Sequence, residues 1–242
     1  MINFKNVTKS FFKNKKALDD ISFTINPGEF VIITGPSGAG KTTIGRLLIR
    51  EFPVTSGQII VGDYDINNIT AKEIPGLRRQ IGFAFQDFKL LPEKTVSENV
   101  ALVLEIMDKG SDEIIAKVKE LLELTGIRDK AHLFPHQLSG GELQRATIAR
   151  ALSAEPAVLF ADEPTGNLDQ LTADQIINLL EEINKLGTTV IMSTHNNNHI
   201  NKKKHRVIEL KNGKLINDSG KKKSISSEKD GKHKNETKEK NE

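Results

Sequence analysis

The sequence predicts an α/β fold in which a largely parallel sheet is interrupted by a helical subdomain. Continuous apolar runs bounded by polar residues, "AVLFADE" and "TTVIMSTH", are typical of parallel strands buried on both faces. The segment between them, "ADQIINLLEEINKLG", has the periodicity of an amphipathic helix and ends on a glycine, which favours helix termination. The 242 residues suit one large domain with an inserted subdomain.

The other elements follow in order along the chain. Three runs near the start, "INFKNV", "ISFTI" and "FVIITG", are typical of strands, and "TTIGRLLIREF" after the third predicts a helix. "QIIVG" and "IGFAF" are further candidate strands. Residues 87–153 change character, because "VSENVALVLEIM", "DEIIAKVKELLELTGI" and "GELQRATIARALSA" have helical periodicity. We therefore expect the helical insertion there, and a terminal hairpin formed by "HRVIEL" and "KLIND".

The net charge of +3 is concentrated at the end of the chain. Residues 219–242 contain eight Lys and five acidic residues, so residues 1–218 are about neutral, which argues against a nucleic-acid partner. We expect residues 1–218 to form the folded domain. The Lys-rich tail, with a single aliphatic residue, is expected to be disordered. The tail either contacts anionic lipid or only aids solubility, and the sequence leaves both open.

The composition also limits where the protein works. The absence of Cys excludes disulfide and thiolate–metal chemistry. No apolar run approaches the roughly 18 residues of a spanning helix, and the N-terminus lacks the apolar region of a signal peptide. We therefore expect a cytoplasmic protein whose association with a membrane is peripheral and depends on a partner.

A phosphate-binding loop follows the third predicted strand. The glycines of "GPSGAGKT" let backbone amides surround a β-phosphate, Lys41 supplies charge to the β- and γ-phosphates, and the Thr42 hydroxyl is a ligand for Mg²⁺. The required context, a strand before the loop and a helix after it, is predicted. The candidate nucleotide-binding residues here are Gly35, Pro36, Ser37, Gly38, Ala39, Gly40, Lys41, Thr42 and Thr43.

A carboxylate pair ends a second buried strand. In "VLFADE", four apolar residues precede Asp162, so its side chain is expected at the edge of the sheet where a carboxylate holds Mg²⁺ directly or through water. Glu163 follows immediately and can act as a general base on the attacking water.

A second glycine-rich segment, "LSGGE", runs into a predicted helix. Ser139, the backbone amides of Gly140 and Gly141, and the helix dipole together favour an anion. A simple helix cap is the alternative interpretation.

In this order, the phosphate loop, Gln86, "LSGGE", "VLFADE" and "STH" resemble the ATP-binding-cassette (ABC) ATPases over residues 1–218. The resemblance implies a P-loop NTPase domain with an antiparallel β subdomain and the inserted helical subdomain, which binds and hydrolyses ATP with Mg²⁺. It implies that Gln86 is the lid glutamine, touching Mg²⁺ or water. It also implies a homodimer on ATP binding, in which Ser139–Glu142 contacts the γ-phosphate of ATP held by the other subunit. Glu142 departs from the commoner glutamine.

The resemblance assigns three more residues. Asp169 in "GNLD" would cross the dimer interface, and His195 would contact the γ-phosphate and orient water. Phe11 would stack on adenine, with a plain core Phe as the alternative. His195 and His199 also have the spacing of a metal-binding pair, but no clear third ligand follows. Asn196 stands where most relatives have Asp.

One branch of the family matches more specifically. The stretch "FQDFKLLPEKTVSENVALVLE", with "ADEPTGNLD", is similar to bacterial cell-division members, which work with an integral membrane partner and regulate peptidoglycan hydrolases. Other division proteins are implied partners. Lipoprotein-release or macrolide-export ATPases are the alternative, and a slowly hydrolysing scaffold is another. Phe88, Leu90 and Leu91 are candidates for the groove that receives the partner, or else for subdomain core.

Overall fold

Two sheets and six α-helices build the protein in the computed structural model, which describes residues 1–12, 15–195 and 204–220. The strands are β1 (Ile2–Phe12), β2 (Lys15–Ile25), β3 (Phe30–Thr34), β4 (Ser56–Val61), β5 (Tyr64–Asp65), β6 (Ile81–Ala84), β7 (Val158–Asp162), β8 (Thr189–Thr194), β9 (Arg206–Lys211) and β10 (Lys214–Asp218). The helices are α1 (Lys41–Leu48), α2 (Ile74–Arg79), α3 (Val96–Ile106), α4 (Ser111–Leu124), α5 (Gly140–Leu152) and α6 (Gln170–Lys185).

The larger sheet has the strand order β10-β9-β3-β8-β7-β6 and is parallel except for the β9–β10 hairpin. Every residue of β3, β7 and β8 is buried, as their continuous apolar runs predict. Because these strands are parallel neighbours, their carboxyl ends meet at one edge of the sheet. The segments that follow them, which carry the predicted catalytic residues, are therefore brought together.

The smaller sheet is antiparallel, with the order β2-β1-β4-β5. Phe4 on β1 and Phe23 on β2 stack with their ring centroids 4.5 Å apart. Their core cluster also includes Leu47 and Leu48 of α1, so this sheet shares an apolar core with the helix that follows the phosphate loop.

A helical layer occupies the chain between β6 and β7. It contains α3, α4, α5 and two short 3-10 helices, at Arg128–Lys130 and Pro135–Gln137. Val100 of α3, Leu121 of α4 and Ile148 of α5 belong to one buried cluster, which explains their helical spacing in the sequence. The predicted α/β architecture with a helical insertion and an antiparallel subdomain is confirmed.

The structure departs from the sequence analysis at short elements and at the end of the domain. The two-residue strand β5 and the six-residue helix α2 were not predicted, because such elements are too short to show periodicity. Ser219 and Gly220 were assigned to the tail, yet the Ser219 amide donates to Val207 O at 2.9 Å, and the Gly220 amide donates to Asp218 Oδ1 at 3.0 Å. Residues 221–242 lie outside the described residues. Within the described part of the chain, no helix is both long and apolar enough to cross a membrane.

Candidate nucleotide-binding site

A cleft of about 400 Å³ lies beyond the carboxyl ends of the parallel strands. It brings together the phosphate loop, the lid glutamine, the candidate base and the histidine after β8. Its lining residues are Ala17, Ser37, Gly38, Gly40, Lys41, Thr42, Thr43, Gln86, Glu163 and His195. The sequence predicted nine of these ten residues for the site, and Ala17 on β2 is the addition.

The phosphate loop is shaped by backbone conformations that need glycine. Gly40 lies just before α1 with φ of 106°, in the left-handed region that side chains disfavour. A Cβ on Gly40 would also lie only 2.6 Å from Ala17 O. The chain can therefore turn tightly into α1, whose first amides and positive dipole end face the cleft.

Lys41 is held inside the loop that it follows. Its side chain is only 4% exposed, and Nζ donates to Gly35 O at 2.9 Å and to Pro36 O at 3.2 Å. The same Nζ lies 3.2 Å from Glu163 Oε1. A buried ammonium therefore stands between the phosphate loop and the candidate base, where it can bind a phosphate oxygen.

Asp162 is a buried carboxylate with two hydroxyl partners. Thr42 Oγ1 donates to Asp162 Oδ1 at 3.1 Å, and Ser193 Oγ donates to the same oxygen at 2.6 Å. Burial raises the pKa of Asp162 above its usual value, and the nearby Glu163 carboxylate adds to this, while the two hydroxyl hydrogen bonds oppose it. The sheet thus holds the Asp162 carboxylate beside the first turn of α1, where burial disfavours its ionised form.

Ser193 is the residue of this cluster that the sequence analysis missed. It lies opposite Asp162 in the parallel pairing of β7 with β8. Its hydroxyl accepts a hydrogen bond from the Glu163 amide at 2.9 Å, while donating to Asp162. The serine is visible in "STH", but the register that sets it beside both acidic residues depends on strand pairing.

Glu163 connects the lysine and the histidine. Its backbone has φ of 48°, so the chain turns sharply after β7 and the two acidic side chains diverge. One carboxylate oxygen contacts Lys41, and the other lies 2.5 Å from His195 Nδ1. His195 is half exposed at the mouth of the cleft. The structure therefore brings three of the predicted site residues into direct contact.

The glycine-rich segment Ser139–Glu142, the signature segment, lies outside this cleft. Ser139 caps α5 and forms a reciprocal capping box with Glu142, whose side chain bonds back to the Ser139 amide. None of the residues Ser139, Gly140, Gly141 and Glu142 is among the described residues that line the cleft. The two predicted phosphate-binding segments of one chain thus belong to different surfaces.

The signature glycines pack against the segment that carries Asp169. A Cβ on Gly140 would lie 3.3 Å from Leu168 Cδ2, and one on Gly141 would lie 2.5 Å from Thr172 Cγ2. Asp169 caps α6, accepting from the Thr172 amide at 3.0 Å and from Thr172 Oγ1 at 2.6 Å. The two segments predicted to reach a second subunit therefore form one continuous surface.

The predicted adenine-stacking residue is neither buried nor part of the cleft lining. Phe11 is 44% exposed and packs edge-to-face on Phe52, with centroids 5.1 Å apart, while Lys9 Nζ lies 4.8 Å from its centroid. The neighbouring Phe12 is 75% exposed. The alternative that Phe11 is a plain core residue is therefore wrong, and its role in stacking remains a prediction.

The alternative metal pair, His195 with His199, lies only in part within the described residues. Asn196 and His199 lie outside the described residues. Among residues 1–12, 15–195 and 204–220, no group of three or more His, Cys, Asp or Glu side chains could hold a metal ion.

Comparison with known proteins agrees with the geometry. Residues 18–166 match the ABC transporter family. The chain is 50% identical over 218 residues to the cell division ATP-binding protein FtsE of Bacillus subtilis, covering 90% of this chain and 96% of the relative. It is 48% identical over 219 residues to the protein of that name from Mycobacterium tuberculosis, covering 90% and 95%.

A solved structure shares the fold. The dimeric post-hydrolysis state of the ATP-binding cassette MJ0796, bound to ADP and Pi, superimposes with a TM-score of 0.82 at 36% identity. The match covers 90% of this chain and 97% of that one.

Proposed function

The chain belongs to the ABC transporter family and resembles its FtsE members. We propose that it is the ATP-hydrolysing subunit of a bacterial cell-division complex. The observation that carries the proposal is the contact set in the cleft, where Lys41 and His195 both meet the carboxylate of Glu163. The buried ammonium of Lys41, the candidate base Glu163 and His195 lie together beside the phosphate loop. Phosphoryl transfer to water requires groups of these kinds in this arrangement.

Mg²⁺ fits the residues beside this cluster. Thr42 Oγ1 and Asp162 Oδ1 are oxygen donors of the kind Mg²⁺ prefers, they lie 3.1 Å apart, and Gln86 lines the same cleft. Burial raises the pKa of Asp162 although Arg46 and two hydroxyl groups act against it, so a bound cation would stabilise the ionised carboxylate. When bound, the ion would neutralise charge on the phosphates, and Thr42, Asp162 and Gln86 would hold it.

Glu163 is the proposed general base. One oxygen of its carboxylate is paired with Lys41 Nζ at 3.2 Å. A phosphate that takes over Lys41 removes this pairing and leaves Glu163 free to accept the proton of the attacking water. His195, on the other carboxylate oxygen, is then placed to orient that water and to contact the γ-phosphate.

The second phosphate-binding segment is proposed to act on a second subunit. Because Ser139 and Lys41 belong to different surfaces of one chain, two chains arranged head-to-tail can complete two composite sites under two-fold symmetry. The dimeric form of the structural neighbour supports this arrangement. The residues proposed for the interface are Ser139, Gly140, Gly141, Glu142 and Asp169.

Mixed dimers test the composite site. Lys41→Ala and Ser139→Arg should each inactivate a homodimer, since each lesion damages both sites. A heterodimer of the two variants has one doubly damaged site and one intact site, so single-turnover hydrolysis should return. Purified heterodimers that dimerise with ATP but hydrolyse no more than either parent would contradict the composite site.

The membrane partner is proposed to resemble FtsX, on the strength of the FtsE relatives. This would keep the protein on the cytoplasmic face of the membrane, and other division proteins would join the complex. Its docking place is proposed to be a groove of about 360 Å³, whose lining includes Arg78, Phe85, Lys89, Val103 and Arg150.

The earlier candidates for a partner groove, Phe88, Leu90 and Leu91, are all partly buried. Leu90 packs against the core of the helical layer, which favours the core alternative for that residue. Co-purification from membranes followed by mass spectrometry tests the partner, and recovery of an exporter permease instead would favour a transport function.

A further inference from the structure

We propose that Glu142 is an internal competitor of the γ-phosphate, which holds the signature serine and weakens ATP-dependent dimerisation. The inference rests on the composite site proposed above. Glu142 Oε2 lies 2.7 Å from Ser139 Oγ and accepts from the Ser139 amide at 2.8 Å. A single carboxylate oxygen therefore engages both the hydroxyl and the backbone donor of Ser139.

The contact commits the one proton of the Ser139 hydroxyl to Glu142. The hydrogen bonds from the Ser139 amide and hydroxyl hold the pKa of Glu142 below its usual range, so the carboxylate is ionised at neutral pH. An ionised carboxylate only accepts hydrogen bonds, and a serine hydroxyl has one proton to donate. That proton is directed at Glu142, so an incoming phosphate meets the lone pairs of Ser139 until the hydroxyl turns away.

Charge acts in the same direction. The Glu142 carboxylate occupies the positive end of the α5 dipole, where the phosphate is proposed to bind. Lys130 Nζ lies 3.5 Å from Glu142 Oε1 and offsets part of this charge. Lys130 and Glu142 are both partly exposed, so water screens the repulsion between the Glu142 carboxylate and the γ-phosphate and limits its size. Lys130 is therefore a positioning residue, which acts through Glu142 by neutralising part of the carboxylate charge beside the phosphate site.

The chain contains a matched control. At the start of α3, Glu98 forms the same capping box, with Oε2 2.7 Å from both Thr95 N and Thr95 Oγ1. Glutamine can replace glutamate in a capping box, so neither Glu142→Gln nor Glu98→Gln is expected to unfold its helix. Thermal melts of both variants check this point.

The experiment measures dimerisation in a background that does not hydrolyse ATP. Glu142→Gln, Lys130→Met and Glu98→Gln are each combined with Glu163→Gln, and the dimer dissociation constant with ATP and Mg²⁺ is measured by sedimentation. Glu142→Gln should tighten the dimer roughly three- to tenfold, because it removes the screened repulsion between residue 142 and the γ-phosphate at each of the two composite sites. Lys130→Met should weaken it, and Glu98→Gln should leave it unchanged. The effect of Glu142→Gln should shrink as salt rises.

The outcomes separate this inference from the proposed function. If Glu163→Gln dimerises with ATP and Glu142→Gln leaves the affinity equal or weaker, the competitor role is refuted and the composite site stands. If Glu163→Gln fails to dimerise at any ATP concentration, the composite site itself fails and the inference falls with it. An equal gain from Glu98→Gln would show a general capping effect and would also refute the specific role.

Discussion

Replacing Gly141 with alanine would place a methyl group 2.5 Å from Thr172 Cγ2. Two carbon atoms attract best at about 3.5–4.0 Å, so this contact is about 1 Å too close. Overpacking of this kind costs about 1–3 kcal/mol, while alanine in a helix gains up to about 1 kcal/mol over glycine. We therefore expect Gly141→Ala to lower the free energy of unfolding by up to about 2 kcal/mol.

A second substitution isolates the clash. Thr172→Ser removes Cγ2 and keeps the hydroxyl that donates to Asp169 at 2.6 Å. The next atom of residue 172, Cβ, would lie 3.9 Å from the new methyl group, which is an ordinary contact. In the Thr172→Ser background, Gly141→Ala should therefore be neutral or stabilising.

Urea unfolding of all four proteins without nucleotide gives the double-mutant cycle. The predicted coupling between the two positions is about 1–3 kcal/mol. A coupling near zero, with Gly141→Ala equally costly in both backgrounds, would refute the packing of the signature glycine on α6.

Three further predictions concern the site and the loop beside it. Glu163→Gln should bind ATP, lose turnover and elute as an ATP-bound dimer on gel filtration; wild-type hydrolysis would contradict its role as base. Because the pKa of Asp162 is raised in the folded state, this carboxyl ionises at lower pH in the unfolded chain, and the free energy of unfolding of the wild type falls as pH rises. Asp162→Asn removes this loss, so its stability relative to the wild type, measured by urea unfolding, should be greater at about pH 7 than at about pH 4. The same stability difference at the two pH values would refute this. Arg150, partly buried, donates to Phe88 O at 2.8 Å and to Lys89 O at 2.5 Å. Arg150→Lys cannot reproduce this fork, so amide exchange of that loop should accelerate while ATP affinity is kept; unchanged exchange would contradict the tether.

Local sequence patterns were sufficient to predict the segments that carry the candidate catalytic and phosphate-binding residues. The phosphate loop and the Asp162–Glu163 pair are each a short continuous stretch of the chain, and each lies at the carboxyl end of an apolar strand that is buried in the structure. The capping box of Ser139 and Glu142 also follows a short-range pattern, although its effect on the serine hydroxyl was not inferred from the sequence. Residue roles at the dimer interface and on adenine remain predictions.

The sequence by itself determined which residues can do chemistry, because the motifs and the burial of their flanking strands are local properties. Tertiary structure decided which of them meet. The register of β7 with β8 set Ser193 between the two acidic residues, and the sharp turn at Glu163 aimed its carboxylate at both Lys41 and His195. Packing of Gly141 on Thr172 joined the signature segment to α6 and kept it out of the cleft. These are contacts between residues that lie far apart along the chain, and only strand pairing and side-chain packing specify them.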